Sequence, residues 1–393
     1  MINRKFNGRR LREGRIYRGI SITDLAKKLD LSKQMISKYE KQIAKPSFET
    51  LDKITKILRF PREYFYEESI EIHSGNTYFR SLLTTGKKDR EMQYDRAKYI
   101  TIIRSFLEEY VDFPQLDIPD MKTTVDSSPE AIAQKIREEW NLNEKPIKNI
   151  VNLLETKGFV LSSIKLEKNI IDVFGAQQVI NGKEYYTIIL GNNKKSFYRR
   201  QFDVAHELGH KFIHDPFIDV NSITKEEFKN MEREANDFAA AFLLPKQSFL
   251  RDVLLHPTDL NYYKILKKKW GVSISAMLMR AYKLGAVNES SYNYMQRLIS
   301  KNGWRKKEPY DDIKEFKQPI AMKQAVEILI ENEYITVKEF LKQLSDDYGL
   351  SIGNEEIENL LSLDSGYLKV EEQKISNNLV RIKDFINYKD NKY

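Results

Sequence analysis

Apolar residues recur at helical spacing through the first 66 residues, interrupted by short polar turns. In Ser21–Asp30 (SITDLAKKLD), Ile22, Leu25, Ala26 and Leu29 share one helical face, and Ser21 stands where an N-cap belongs. Ser32–Glu40 (SKQMISKYE) opens on a second cap, and Ser47 precedes a helix that turns Leu51, Ile54 and Leu58 inward. Tyr94–Phe113 reads as one amphipathic helix, and PQLDIPD at 114–120 as an extended linker. SPEAIAQKIREEWN and PIKNIVNLLETKG predict two helices between Ser128 and Lys157, the second ended by Gly158. The period then shortens. FVLSSIKL, IIDVFGAQQVI and YYTIILGNN are β-type, the last two separated by the turn-forming pair Asn181-Gly182. Helices resume at Ser196–His214 and Thr224–Leu244, and the chain beyond Met277 is again mostly helical, with Ile335–Leu361 reading as a small helical unit. The expected class is mostly α with a small β-sheet.

A chain of 393 residues exceeds one ordinary core. The pattern divides it at 1–68, 69–120, 121–290 and 291–393: a five-helix unit, a helical linker, an α+β domain and a helical C-terminal region. Charge sharpens the first boundary. Residues 1–66 hold 17 basic and 7 acidic side chains, a net of +10, whereas the remainder carries a net of −2. A basic excess confined to one small domain is what phosphate binding requires, so double-stranded DNA is the expected partner of residues 1–66. Cysteine is absent, which excludes disulfides, thiolate zinc sites and cysteine nucleophiles and fits a cytoplasmic location. No apolar run approaches ~18 residues, so no membrane span is expected.

Any metal site must therefore use His, Asp and Glu. Three of the five histidines fall within FDVAHELGHKFIH. His206 and His210 are four apart, so on a helix both rings project from one face and can reach one zinc ion at about 2.0–2.1 Å. Glu207 is placed to take a proton from water activated by that ion. His214 stands eight residues after His206, ~12 Å along a helix, too far to share the ion; a supporting or packing role is expected instead. The third ligand is expected from the acidic helix downstream, where Glu232 and Glu234 both qualify. Glu232 is favoured because Asn236 follows on the same face and can orient a histidine. Glu234 points elsewhere and has no such partner. Phe228, Met231, Ala235, Phe238, Ala239 and Phe242 read as the packing stripe of this helix.

HELGH followed by EREANDFAAAFLLP resembles the ImmA/IrrE metallopeptidases, whose pattern pairs HExxH with E-x-x-A-N-x-F-A-x-x-L-L-x-P. Phe242 departs from that pattern's first leucine, an apolar exchange. FRSLL after residue 78, PIKNIVNLLETKGFVL and ISKNGWRKKEP also resemble the family, so the likeness runs from residue 1 to about 309. It implies a zincin-like, gluzincin-type endopeptidase with ligands at His206, His210 and Glu232, with Glu207 as base, and with a position at Glu234 that accepts Gln. Zinc is the expected ion, with manganese as the alternative.

LAKKLDLSKQMISKYEKQIAKPSFETL resembles the repressor-type (Xre/Cro) helix-turn-helix. That likeness places Lys33, Gln34, Ser37 and Lys38 on the outward face of a recognition helix, Gln34 suited to adenine and the lysines to guanine or phosphate. Asp30 replaces the usual turn glycine and must adopt a left-handed conformation, and Ile22 replaces a glutamine that ordinarily contacts phosphate. Modules of this kind generally act in pairs, so a homodimer is expected.

Arg199 and Arg200 precede the metal motif and read as structural more than substrate-binding. Tyr185, Tyr186 and Tyr198 are candidate oxyanion donors among which the sequence does not choose. The strand Tyr185–Leu190 is read equally as a substrate-binding edge or an internal strand, while His73 and His256 lack partners. The function expected is a transcriptional regulator that cleaves a partner protein, a repressor by the resemblance. The alternative is a DNA-binding repressor or antitoxin-like protein whose metal domain is a sensor or scaffold.

Overall fold

Serine and threonine caps close the helix starts that the polarity pattern marks. The computed structural model describes residues 5–68, 73–74, 87–121, 127–165, 173–191, 196–214 and 223–369. FRSLL, the His73 side chain and the stretch from 370 onward lie outside the described residues. In the N-terminal unit, α1 is Gly8–Tyr17, α2 Ile22–Leu29, α3 Lys33–Glu40 and α4 Phe48–Leu58, followed by a single 3-10 turn at Glu63–Tyr66. Ser21, Ser32 and Ser47 each accept a bond from the backbone N–H three residues on. Asp30 ends α2 at φ 55°, ψ 44°, the left-handed turn that its position demands. Ile36 and Tyr39 anchor α3 in the core, and Glu40 takes a two-pronged bond from Arg15.

Beyond it come the two-residue strand β1 (His73–Ser74), α5 (Lys87–Leu107), α6 (Pro129–Glu139) and α7 (Ile150–Thr156). The sheet continues with β2 (Val160–Ile164), β3 (Val173–Ile180) and β4 (Lys183–Gly191). Two elements differ from the sequence reading. α5 spans Lys87–Leu107 instead of Tyr94–Phe113: after Leu107 the Glu109 and Tyr110 N–H groups bond only three residues back, to Phe106 and Leu107, and Phe113 lies 3.7 Å from the Arg104 guanidinium. α7 begins only at Ile150, because the Asn149 side chain caps the Val151 N–H there.

The strand order is β1-β3-β4-β2, with β3–β4 antiparallel and β2–β4 parallel. Asn181 and Gly182 both take positive φ, the two-residue turn whose twist suits a hairpin. β4 is hydrogen-bonded on both sides, so Tyr185–Leu190 is an internal strand and not a substrate-binding edge.

Further helices follow: α8 (Phe197–Ile213), α9 (Lys225–Leu243), α10 (Lys246–Val253), α11 (Leu260–Trp270), α12 (Ile274–Lys283), α13 (Glu289–Lys301), α14 (Ala321–Glu331), α15 (Val337–Asp346) and α16 (Asn354–Leu361). Side chains alternate across the sheet, giving it two cores. Leu161, Tyr186, Ile188 and Leu190 pack with α6–α13, whereas Val160, Phe174, Tyr185 and Ile189 pack with α5, the N-terminal helices and α14–α16. The first core reaches Met295, Ile299 and Trp304, so α13 packs with the α+β domain; the second begins again at Met322.

The C-terminal helices touch both the N-terminal unit and the sheet. Glu356 accepts the Tyr17 hydroxyl and the Arg18 guanidinium, each at 2.5 Å. Ser162 donates to the Leu360 carbonyl at 2.5 Å, and Ser362 to that of Ser163 at 3.0 Å. Among the described residues no helix is long and apolar enough to cross a membrane.

Candidate functional site

α8 is buried along nearly its whole length, and polar anchors set its position. Gln201 accepts from the Ile150 N–H at 2.9 Å and donates to the Gly271 carbonyl at 3.0 Å. Arg200 is buried, donates to the Gly191 carbonyl and stacks on Phe316, and Arg199 donates to the Trp304 and Arg305 carbonyls. Both arginines thus tie α8 to its surroundings. At the same N-terminal end of α8, Ser196 donates to Asp311, which also accepts from the fully buried Lys267, itself bound to Glu308.

Anchored this way, α8 turns His206, Glu207 and His210 inward, where they are only 1–2 % exposed. The two Nε2 atoms face each other at 3.0 Å. Gly209 lies on the side of α8 that meets α9. A Cβ there would stand 3.0 Å from Phe238 and 3.1 Å from the Ala235 backbone, so the missing side chain lets the two helices approach closely. α9, held at its start by the Thr224/Glu227 capping box, then delivers Glu232. Its carboxylate lies 3.6 Å from His206 Nε2 and 3.2 Å from His210 Nε2. Glu232 Oε1 is buried with no hydrogen-bond partner. Among the described residues, His206, His210 and Glu232 form the one cluster whose ligand atoms all lie within 4.8 Å of one another.

Asn236, one turn after Glu232, donates Nδ2 to the Glu232 carbonyl at 2.7 Å and turns Oδ1 to His206 Nδ1 at 3.1 Å. That oxygen can only accept, so the His206 hydrogen sits on Nδ1 and Nε2 keeps its lone pair. Burial drives the His210 pKa down to about 4, which leaves that ring neutral near pH 7. His214 is also buried, its pKa lowered, and it stands outside the cluster. Its Nδ1 lies 3.0 Å from His210 Nδ1, and its Nε2 3.1 Å from Glu234 Oε2. Glu234 therefore does have a partner, contrary to the reading from helical spacing: His214 caps α8 in an extended conformation, which carries its ring off the helical path.

Glu207 accepts from the Gly175 N–H at 3.1 Å. The tyrosines now separate: Tyr186 places its hydroxyl 3.5 Å from the Glu207 carbonyl, Tyr185 lies on the opposite sheet face bonded to Glu108, and Tyr198 packs against Lys267. His256 is exposed and packs on Tyr262. Gly175, Gly209 and Glu234 are the contributors that sequence reasoning missed. Each glycine carried a usable signal, since an isolated glycine inside a strand or helix marks a close approach.

On the N-terminal unit, Lys33, Gln34 and Lys38 are exposed along α3 and Ser37 is half-buried.

Comparison with known families accords with this arrangement. A helix-turn-helix model matches residues 11–65, and the IrrE N-terminal-like domain model of the M78 peptidases matches residues 154–282. The chain thus joins a DNA-binding helix-turn-helix domain to a metallopeptidase-like domain of the ImmA/IrrE type. A comparison with curated proteins finds no match. A metallopeptidase family implies a metal, and the donor set fits one: two buried imidazoles and the half-buried Glu232 carboxylate, one of whose oxygens is buried without a hydrogen-bond partner.

Proposed function

We propose that this chain is a cytoplasmic DNA-binding regulator whose second domain is a zinc endopeptidase acting on a partner protein, a repressor by the family resemblance. One observation carries the reading. His206 Nε2, His210 Nε2 and the Glu232 carboxylate converge within 3.0 to 3.6 Å, and the Asn236 contact sets the His206 hydrogen on Nδ1, so its Nε2 lone pair faces the point where a cation would sit. Two histidines and one carboxylate, with a fourth position for solvent, are a zinc donor set; manganese is the alternative ion.

The bound ion supplies Lewis acidity, which makes water a nucleophile near neutral pH. The chain supplies the rest. Asn236 holds the His206 ring in the orientation that points Nε2 into the site. The Gly175 N–H fixes the Glu207 carboxylate, which takes a proton from the attacking water and returns it to the amine nitrogen of the breaking peptide bond. Lys33, Gln34, Ser37 and Lys38 meet the major groove.

The test is to incubate the zinc-loaded chain with the repressor-type proteins encoded beside it and look for new termini by mass spectrometry. Glu207→Gln is expected to keep the ion and lose about 100-fold or more of the cleavage rate. Cleavage at the parent rate by Glu207→Gln contradicts the catalytic assignment.

A further inference from the structure

We infer that Glu234 is a positioning residue for the metal centre, acting through His214 to decide which nitrogen of His210 faces the ion. The inference rests on the reading just proposed and extends it to a side chain outside the ligand set. A carboxylate only accepts, so His214 Nε2, 3.1 Å from Glu234 Oε2, carries the hydrogen. The neutral His214 ring then presents a lone pair at Nδ1, 3.0 Å from His210 Nδ1. His210 must answer with a hydrogen on Nδ1. Its Nε2 is left bare, pointing at His206 Nε2 and Glu232 Oε1, 3.0 and 3.2 Å away. In the other tautomer an N–H would project into the place the ion occupies.

The geometry is specific to how α8 ends. His214 leaves the helix at φ −105°, ψ 145°, so its ring folds back on His210, with centroids 5.0 Å apart, rather than one turn further out. His206 gets the same service from the Asn236 amide. α9 thus carries the third ligand and both groups that orient the first two, and the spacing of Glu232, Glu234 and Asn236 along one helix couples all three to its position.

The test is zinc competition with a chromophoric chelator, using the full chain as parent, Glu234→Ala, Glu234→Gln and His214→Phe, with thermal melting of each metal-free protein alongside. Glu234→Ala and His214→Phe are expected to weaken zinc binding by about 10–100-fold, while Glu234→Gln, which keeps an accepting oxygen, stays within about threefold of the parent. Metal-free Glu234→Ala is expected to melt as the parent does, since the side chain is partly exposed on a helix surface. Parental zinc affinity in Glu234→Ala overturns the inference and leaves the metal centre standing. Equal loss in the Gln and Ala variants overturns it too, since charge and not the accepting oxygen would then be at work, as does a zinc loss matched by a drop in melting temperature. A parent that takes no zinc removes the metal centre itself.

Discussion

At the scale of single residues, Gly209 shows how an absent side chain can set a site. A helix-interior glycine costs about 1 kcal/mol relative to alanine, so Gly209→Ala would stabilise an isolated helix. Here the new methyl would press on the Ala235 backbone at 3.1 Å, and backbone gives way less easily than a flexible side chain. Overpacking of this kind costs about 1–3 kcal/mol, so the net effect is destabilising by up to about 2 kcal/mol. The cost falls on the α8–α9 spacing that brings Glu232 to the histidines. Gly209→Ala is therefore expected to lower both the melting temperature and the zinc affinity; a variant that melts higher and binds zinc as well as the parent would show that the close approach does not matter. The sequence made His206, Glu207 and His210 legible because one helical turn relates them, and Asn236 legible because one turn relates it to Glu232. Glu234 was not, because its partner lies where α8 abandons helical geometry.

At the scale of elements, α3 presents an exposed basic and amide face. Phosphate contacts act on every sequence alike, whereas a base contact acts on one. Lys38→Ala is expected to reduce the slope of log affinity against log salt by about one on any duplex. An unchanged slope would place Lys38 away from the phosphates. The helix starts after Ser21, Ser32, Ser47 and Ser128 and the Asn181-Gly182 turn were the most legible features, because serine caps and a two-residue turn act locally. α5 was mislaid at its C-terminal end because the apolar pattern continues past Leu107, where the backbone has already tightened into a turn. The place of β4 inside the sheet depends on pairing with β2, more than twenty residues upstream, which alternation alone does not reveal.

At the scale of the whole molecule, the C-terminal helices join the DNA-binding unit to the sheet on the face away from the metal cluster. Glu67, at the end of the N-terminal unit and buried, lies 3.5 Å from Arg10 and accepts from Ser345 Oγ at 3.0 Å and the Ser351 N–H at 3.2 Å. Its partners lie 57 to 284 residues away, which is why no role for this region could be read from the sequence. Glu67→Ala strips the buried Ser351 N–H of its acceptor and removes one of the two carboxylates beside the buried Arg10 guanidinium, which keeps Glu13, a loss of about 1–3 kcal/mol. Thermal unfolding followed by circular dichroism should show the melting temperature fall, and limited proteolysis should release both the N-terminal unit and the C-terminal helices. Parental melting would mean that the two pack independently of this contact.

The metal reading meets its most direct test in elemental analysis of the purified, dialysed chain, comparing the parent with Glu232→Ala. With three protein ligands and an open position, about one zinc ion should accompany each parent chain and none the variant. A parent free of divalent transition metal, or a Glu232→Ala protein that holds as much as the parent, would contradict it.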